Sequence, residues 1–198
     1  MAAIGITGGP GCGKTTFANL LAKALPAACF DADQAIRELM AGNPDVQSEV
    51  ATLMNRPHFD NSSEVRSALR HLVMNDETKR RQLEAILHPR IRDTWWNQAA
   101  EQRGHPKQHF VAELPLLYEK SLAAPFDVVV AVAAGTFTQY QRLRDRGLDD
   151  QLISQLIQAQ MPLKDKIRQA AVVAWNDGNR EALAGQAAQL VQTAPWSA

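Results

Sequence analysis

The stretch Gly8-Gly9-Pro10-Gly11-Cys12-Gly13-Lys14-Thr15 carries the residue types that chemistry on a phosphate group requires, at a workable spacing. Its glycines let the backbone turn tightly and bring successive N–H groups close to an anion with no Cβ in the way. Lys14 can reach the terminal phosphates, and the Thr15 hydroxyl can take a ligand position on magnesium. The pattern is Gly, four residues, Gly-Lys-Ser/Thr, with Thr16 next. The apolar run Ala3-Ile4-Gly5-Ile6-Thr7 leads in as a strand. A helical segment from Lys14 to about Leu25 leads out, with its positive dipole end at the loop. Strand, loop and helix in this order make a P-loop. We therefore expect a nucleoside triphosphate to be held by Gly8, Gly9, Gly11, Cys12, Gly13, Lys14, Thr15 and Thr16, with Cys12 serving as a small residue.

A P-loop fixes nucleotide binding but leaves the reaction open. A guanine-reading switch protein would carry a motif of the Asn-Lys-x-Asp type, and this sequence has none. Two other groups could act on a phosphate held in the loop. The acid pair Asp31 and Asp33 follows the second strand, where a doubly wound sheet brings chain close to the phosphate loop. Asp31 can equally cap the next helix, and Asp33, an extended step further, can equally be a solvated first-turn carboxylate. The arginines Arg142, Arg144 and Arg146 follow the fourth strand. Arg142 and Arg146 would be i, i+4 partners on one helix face, flanked by the core-type residues Phe137, Tyr140 and Leu143. Such a face can close over transferring phosphate charge and exclude water, or it can be an ordinary solvated surface.

The elements that position these groups follow from apolar runs and their punctuation. Ala27–Asp31 reads as a second strand set off by Pro26, and a helix follows over Gln34–Met40 until Gly42-Asn43-Pro44 breaks it. From Asp45 to about Gln102 the pattern is helical and polar-faced, with turns at Asp60–Glu64 and Asn75-Asp76. Pro89 is suited to the first turn of a separate helix over Arg90–Gln102, and Gly104-His105-Pro106 closes the segment. Strands resume at His109–Leu114 and Phe126–Ala133, the latter almost continuously apolar, as a strand covered on both faces should be. A helix carrying Leu148, Leu152, Ile153, Leu156 and Ile157 stops at Pro162. A fifth strand, Ala171–Trp175, ends at Asn176-Asp177-Gly178, and a last helix runs from about Arg180 to Gln192. Strands alternating with helices predict an α/β fold: a doubly wound parallel sheet of five strands with helices on both faces.

Composition narrows the classes. Lys plus Arg equals Asp plus Glu at 21 each, which argues against a nucleic-acid-coating surface. Two cysteines, Cys12 and Cys29, make no disulfide framework. No apolar run reaches the length of a membrane span, and the chain enters its first strand without a signal peptide. We expect a cytoplasmic protein with no nucleic-acid or membrane partner, a monomer or weak homo-oligomer.

Taken together, the sequence resembles the dephospho-CoA kinases almost end to end. The resemblance is carried by Thr7–Thr16, Asp31-Ala32-Asp33 with Arg37, Arg66…Leu69-Arg70 and Leu83–Pro89. It continues through Pro115–Glu119, Gln139…Arg142-Leu143…Arg146, Gln160–Leu163 with Lys166, and Asn176 before Gly178. It implies a single P-loop NTPase-type domain over 1–198, with a helical acceptor-binding insert at about 60–105 and a lid at about 135–165. It implies ATP and Mg²⁺, with the γ-phosphate passing to the 3′-hydroxyl of dephospho-CoA. Asp33 is then the base; Lys14, Arg142 and Arg146 are catalytic cations; and Arg37, Arg66 and Arg70, with His88 nearby, hold the anionic acceptor. Glu113 joins Thr15 at magnesium through water, Asn176 lies near the adenine, and Glu119 closes a short helix after Pro115. The chain departs from the usual pattern at Asn55–Phe59, at Ala170-Ala171 and at Trp175. Two alternatives stay open: a nucleoside-monophosphate-type kinase with another acceptor, and a nucleotide-binding module without turnover.

Overall fold

A computed structural model of the chain describes residues 2–60, 62–103 and 109–193, so the expected turn at Gly104-His105-Pro106 lies outside the described residues. In chain order the elements are β1 (Ala3–Gly8), α1 (Lys14–Ala24), β2 (Ala27–Asp31), α2 (Ala32–Gly42), α3 (Pro44–Leu53), α4 (Ser63–Asn75) and α5 (Glu77–Arg103). Then come β3 (His109–Glu113), β4 (Val128–Ala133), α6 (Thr136–Arg144), α7 (Asp150–Gln158), α8 (Leu163–Gln169), β5 (Val172–Trp175) and α9 (Arg180–Thr193). The chain divides into two compact units, one of Met1–Asp31 with Ala99–Ala198, the other of Ala32–Gln98.

The first unit is built on a five-stranded sheet of order β2-β3-β1-β4-β5, and every pairing in it is parallel. β1 is central because each of its residues, Ala3 to Gly8, is buried, and it pairs with β3 on one side and β4 on the other. Alternate residues of a strand share a face, so Ile4 and Ile6 enter one core with Phe17 and Leu21 of α1 and Leu183, Ala187 and Leu190 of α9. The chain leaves β1 toward the β2 side and leaves β3 toward the β4 side. The carboxyl end of β1 is therefore a topological switch point, where such sheets bind ligands. β5 is an edge strand. The Gln186 side chain of α9 accepts from the Trp175 N–H and donates to the Trp175 carbonyl, both at 2.8 Å.

The second unit is helical. Asn43 accepts from the Val46 N–H and starts α3 with Pro44 just inside it, and Ser62 caps α4 through the Val65 N–H. Met40, Val46, Val50, Leu53, Phe59, Val65, Leu69 and Leu87 form its core. Two boundaries differ from the sequence expectation. α2 begins at Ala32, directly after the strand, so no extended step separates Asp31 from Asp33. α5 runs unbroken through Pro89 rather than ending at His88. Proline removes one backbone donor and opens the preceding turn. There the Arg90 guanidinium donates to the Ile86 carbonyl at 2.6 Å and to Glu49 at 2.7 Å, supporting the loosened turn from outside.

Candidate active site

The loop between β1 and α1 takes its shape from glycines at positive φ. At Gly8 (φ 146) a Cβ would run into the Val132 carbonyl of β4, and at Gly13 (φ 87) into the Asn176 amide. Gly13 is also the N-cap of α1 and offers no side-chain oxygen, so the first N–H groups of that helix are left open to a ligand. Cys12 is fully buried beneath the loop, and burial pushes its thiol above the ordinary range, which leaves it a packing residue.

Around this loop the fold gathers groups from the start of α1 and from three distant segments. The Lys14 ammonium donates to the Gly9 carbonyl at 3.1 Å, folded back across the loop. The Thr15 hydroxyl, at the start of α1, donates to Glu113 Oε1 at 3.1 Å. Glu113 ends β3 and is only 5 % exposed. β3 runs parallel to β1, with Glu113 in register beside Ile6 on one side and Asp31 on the other. Asn176 is buried and donates to the Cys12 carbonyl at 2.8 Å, which ties the end of β5 to the loop. Arg142 of α6 donates to the Gly11 carbonyl at 3.3 Å and to the Asn176 carbonyl at 2.8 Å. A guanidinium is thereby held over the loop by two carbonyls, where an anion would compete for the same donors.

The expected arginine face is not built as the sequence suggests. α6 ends at Arg144, so Arg146 lies beyond the helix in an exposed turn and shares no helical face with Arg142. Arg144 points away to Asp150 at 2.7 Å, with its guanidinium 5.7 Å from the centre of the Tyr140 ring. Leu143 is buried as expected, but Phe137 is 77 % exposed. In the second unit, Asp33 and Arg37 are exposed one helical turn apart on α2. Arg66 and Arg70 are likewise exposed one turn apart on α4, and His88 is half-buried on α5.

Two groups have roles that the sequence pattern did not show. Lys166 is fully buried on α8, donating to the Pro115 carbonyl at 2.6 Å and to Gln160 at 3.3 Å, and pairing with Glu119 at 2.9 Å. Burial pulls the Lys166 ammonium below its ordinary value, and the Glu119 carboxylate opposes that. The residues after Pro115 form turns, so Glu119 closes no helix there; it accepts the Met161 N–H at 2.8 Å and pins the α7–α8 connection. The signal was present, since Lys166 follows Leu163 by three residues, where the helical pattern calls for an apolar side chain. The second group is Asp177, whose carboxylate accepts the Gly135 N–H at 2.9 Å.

Comparison with known proteins gives the family of the chain. Residues 2–182 match the family described as dephospho-CoA kinase. The chain belongs to the dephospho-CoA kinase family. A relative of that name from Shouchella clausii is 38% identical over 183 residues, covering 90% of this chain and 91% of its own. Another of the same name, from Anaeromyxobacter dehalogenans, is 38% identical over 195 residues, covering 96% and 91%. A crystal structure from Thermus thermophilus superposes with a TM-score of 0.76 at 29% identity, covering 97% of each chain. The matched span takes in the loop, Glu113, Arg142, Lys166 and Asn176, all of which belong to the first unit. Among the described residues no helix is long and apolar enough to cross a membrane.

Proposed function

We propose that this chain transfers the γ-phosphoryl group of ATP to the 3′-hydroxyl of the dephospho-CoA ribose, giving ADP and coenzyme A. The observation that carries this reading is the family match from residue 2 to residue 182. The loop geometry supports it chemically. Its backbone N–H groups and the open start of α1 would hold the β- and γ-phosphate oxygens, and Lys14 would leave the Gly9 carbonyl for them. In the reaction the bond from the γ-phosphorus to the bridging oxygen of ADP breaks as the ribose 3′-oxygen bonds to that phosphorus. Asp33 takes the hydroxyl proton. Arg142, with Arg146 from its exposed turn, would neutralise charge that grows on the transferring oxygens. Arg37, Arg66 and Arg70, with His88, would bind the anionic acceptor, and Asn176 would border the nucleotide.

The residues present also fit a magnesium ion. A hydroxyl and a buried carboxylate 3.1 Å apart are the hard oxygen donors such an ion takes, so Thr15 would hold it directly and Glu113 through water. Among the described residues no three His, Cys, Asp or Glu side chains cluster as a metal cage, and phosphate oxygens and water would complete the shell. Magnesium bound with ATP supplies charge neutralisation to the phosphates. On this reading the reaction would run in the cytoplasm, with the protein acting as a monomer or weak homo-oligomer.

The test is ADP release from Mg-ATP with dephospho-CoA as acceptor, set beside AMP, shikimate and pantetheine phosphate. Release that depends on dephospho-CoA alone, with coenzyme A as the product, is the expected result. Equal or greater release with AMP would assign the chain to the nucleoside-monophosphate type. No acceptor-dependent release would leave a nucleotide-binding module.

A further inference from the structure

α6 carries Arg142, yet its own first residue gives it no cap. Gly135 occupies the N-cap position and has no side chain to accept from the open N–H groups. The missing acceptor comes from 42 residues further along the chain. Both carboxylate oxygens of Asp177 accept from the Gly135 N–H, at 2.9 and 3.0 Å. The Asp177 carboxyl is held below its ordinary value, first by the Thr138 hydroxyl in the first turn of α6 and then by the Gly135 N–H. A carboxylate at a helix N-terminus is favoured by the helix dipole as well as by the hydrogen bonds it receives.

What makes this cap more than a stability feature is its neighbour. Asn176 donates to the Cys12 carbonyl of the phosphate loop, and its own carbonyl receives the Arg142 guanidinium. Successive residues of one turn thus hold two different parts of the site, Asn176 the loop and Asp177 the start of α6. The guanidinium of Arg142 spans the interval between them, touching Gly11 on the loop and Asn176 on the turn. Its placement depends on where α6 begins, and that start is set from outside the helix.

We propose that Asp177 is a positioning residue for the phosphoryl transfer: by capping α6 it holds the guanidinium of Arg142 over the phosphate loop. The inference rests on the proposed role of Arg142 and extends it to a residue that need not touch ATP. Asp177 is exposed, so replacing it opens no hole in the core.

The experiment is a double-mutant cycle on turnover at saturating Mg-ATP and dephospho-CoA, with Asp177→Ala, Arg142→Ala and the pair. Interactions within one network couple, whereas independent sites add. Asp177→Ala alone should lower turnover about tenfold, and in the Arg142→Ala background no more than about twofold. Asp177→Asn keeps an oxygen that can accept from Gly135 and should recover turnover to within about threefold of the parent. Thermal melting of each variant establishes that it is folded. If Asp177→Ala costs the same factor in both backgrounds, or if Asp177→Asn is no better than Asp177→Ala, the positioning role is overturned while the role of Arg142 stands. If Arg142→Ala itself turns over like the parent, both fall together.

Discussion

Replacing Lys166 by methionine tests whether the buried ion pair on α8 is a structural junction. The side chain is 0 % exposed, and that of its partner Glu119 is 17 % exposed. Methionine fills a similar volume but brings no charge and no donor. The Pro115 carbonyl would keep the Thr7 hydroxyl, which donates to it at 3.3 Å, and Glu119 would keep the Met161 N–H. Glu119 would then be a largely buried carboxylate without its cation. Breaking a buried pair from one side costs about 3–5 kcal/mol, because the remaining charge is uncompensated. For a chain of 150–250 residues that corresponds to a melting shift of about 6–20 °C downward. Adding Glu119→Gln removes the stranded charge, and the double variant should regain at least half the loss. The measurement is denaturant unfolding of the parent, both singles and the double at neutral pH, followed by far-UV circular dichroism. A Lys166→Met protein within about 1 kcal/mol of the parent would refute the reasoning, as would a double variant whose loss equals the sum of the singles.

Lys14→Ala should abolish measurable turnover with little change in melting, because in the proposed reaction Lys14 would serve phosphate and it stands outside the core; near-parental turnover would end the P-loop kinase reading. Arg142→Lys should lower turnover more than Arg146→Lys, since a lysine loses the planar fork that spans two carbonyls while Arg146 sits in an open turn; equal turnover in parent and both variants would return these arginines to the surface. Asp33→Asn should lower turnover by about 10²–10⁴-fold with ATP affinity unchanged, whereas Asp31→Asn should cost on the order of 1 kcal/mol or less in stability; the opposite pattern would swap the roles. The carboxyl of Asp177 is depressed below its ordinary 3.8 chiefly by the Thr138 hydroxyl and then by the Gly135 N–H. A depressed carboxyl stabilises the fold above its ordinary value and loses that contribution as pH falls through the folded value. Unfolding midpoints taken from about pH 6 down to about pH 3 should therefore fall less for Asp177→Asn than for the parent.

The sheet was legible because its signals are local. Pro26 and the aspartate after Phe30 bracket β2 at the observed residues, and the apolar run of β4 and the Asn-Asp-Gly turn after β5 mark their strands to within two residues. The phosphate loop was legible for the same reason, since its glycines answer to the backbone of their own turn. What the sequence hid is set by contacts between distant segments. Pro89 reads as a helix start by local rule, yet the Arg90–Glu49 contact from α3 supports the turn it opens and α5 continues. Arg146 fits an i, i+4 pattern with Arg142, yet Gly147, at φ 83, and the turn before it end the helix sooner. Glu113 could be suspected from its place at a strand end, but its bond to Thr15 exists only because β3 lies beside β1. Asp177 reads as a turn residue, and its carboxylate becomes a helix cap through a partner 42 positions away.

The contact of Gln186 with Trp175 also bears on how the molecule behaves in company. A parallel sheet that stops at β5 would ordinarily leave a row of backbone donors and acceptors facing outward, a template for any extended segment that drifts past. At Trp175 one carboxamide offers its oxygen to the N–H and its nitrogen to the carbonyl, the same pair of groups that a further strand would bring. The side chain acts as a one-residue counterfeit of a sixth strand. Val173 and Trp175 are both partly exposed on this strand, so the edge is apolar enough to attract a neighbour but offers it no register at its last residue. Crowded conditions that drive edge-to-edge joining of sheets thus meet a closed seam where the nucleotide-binding end of this sheet begins.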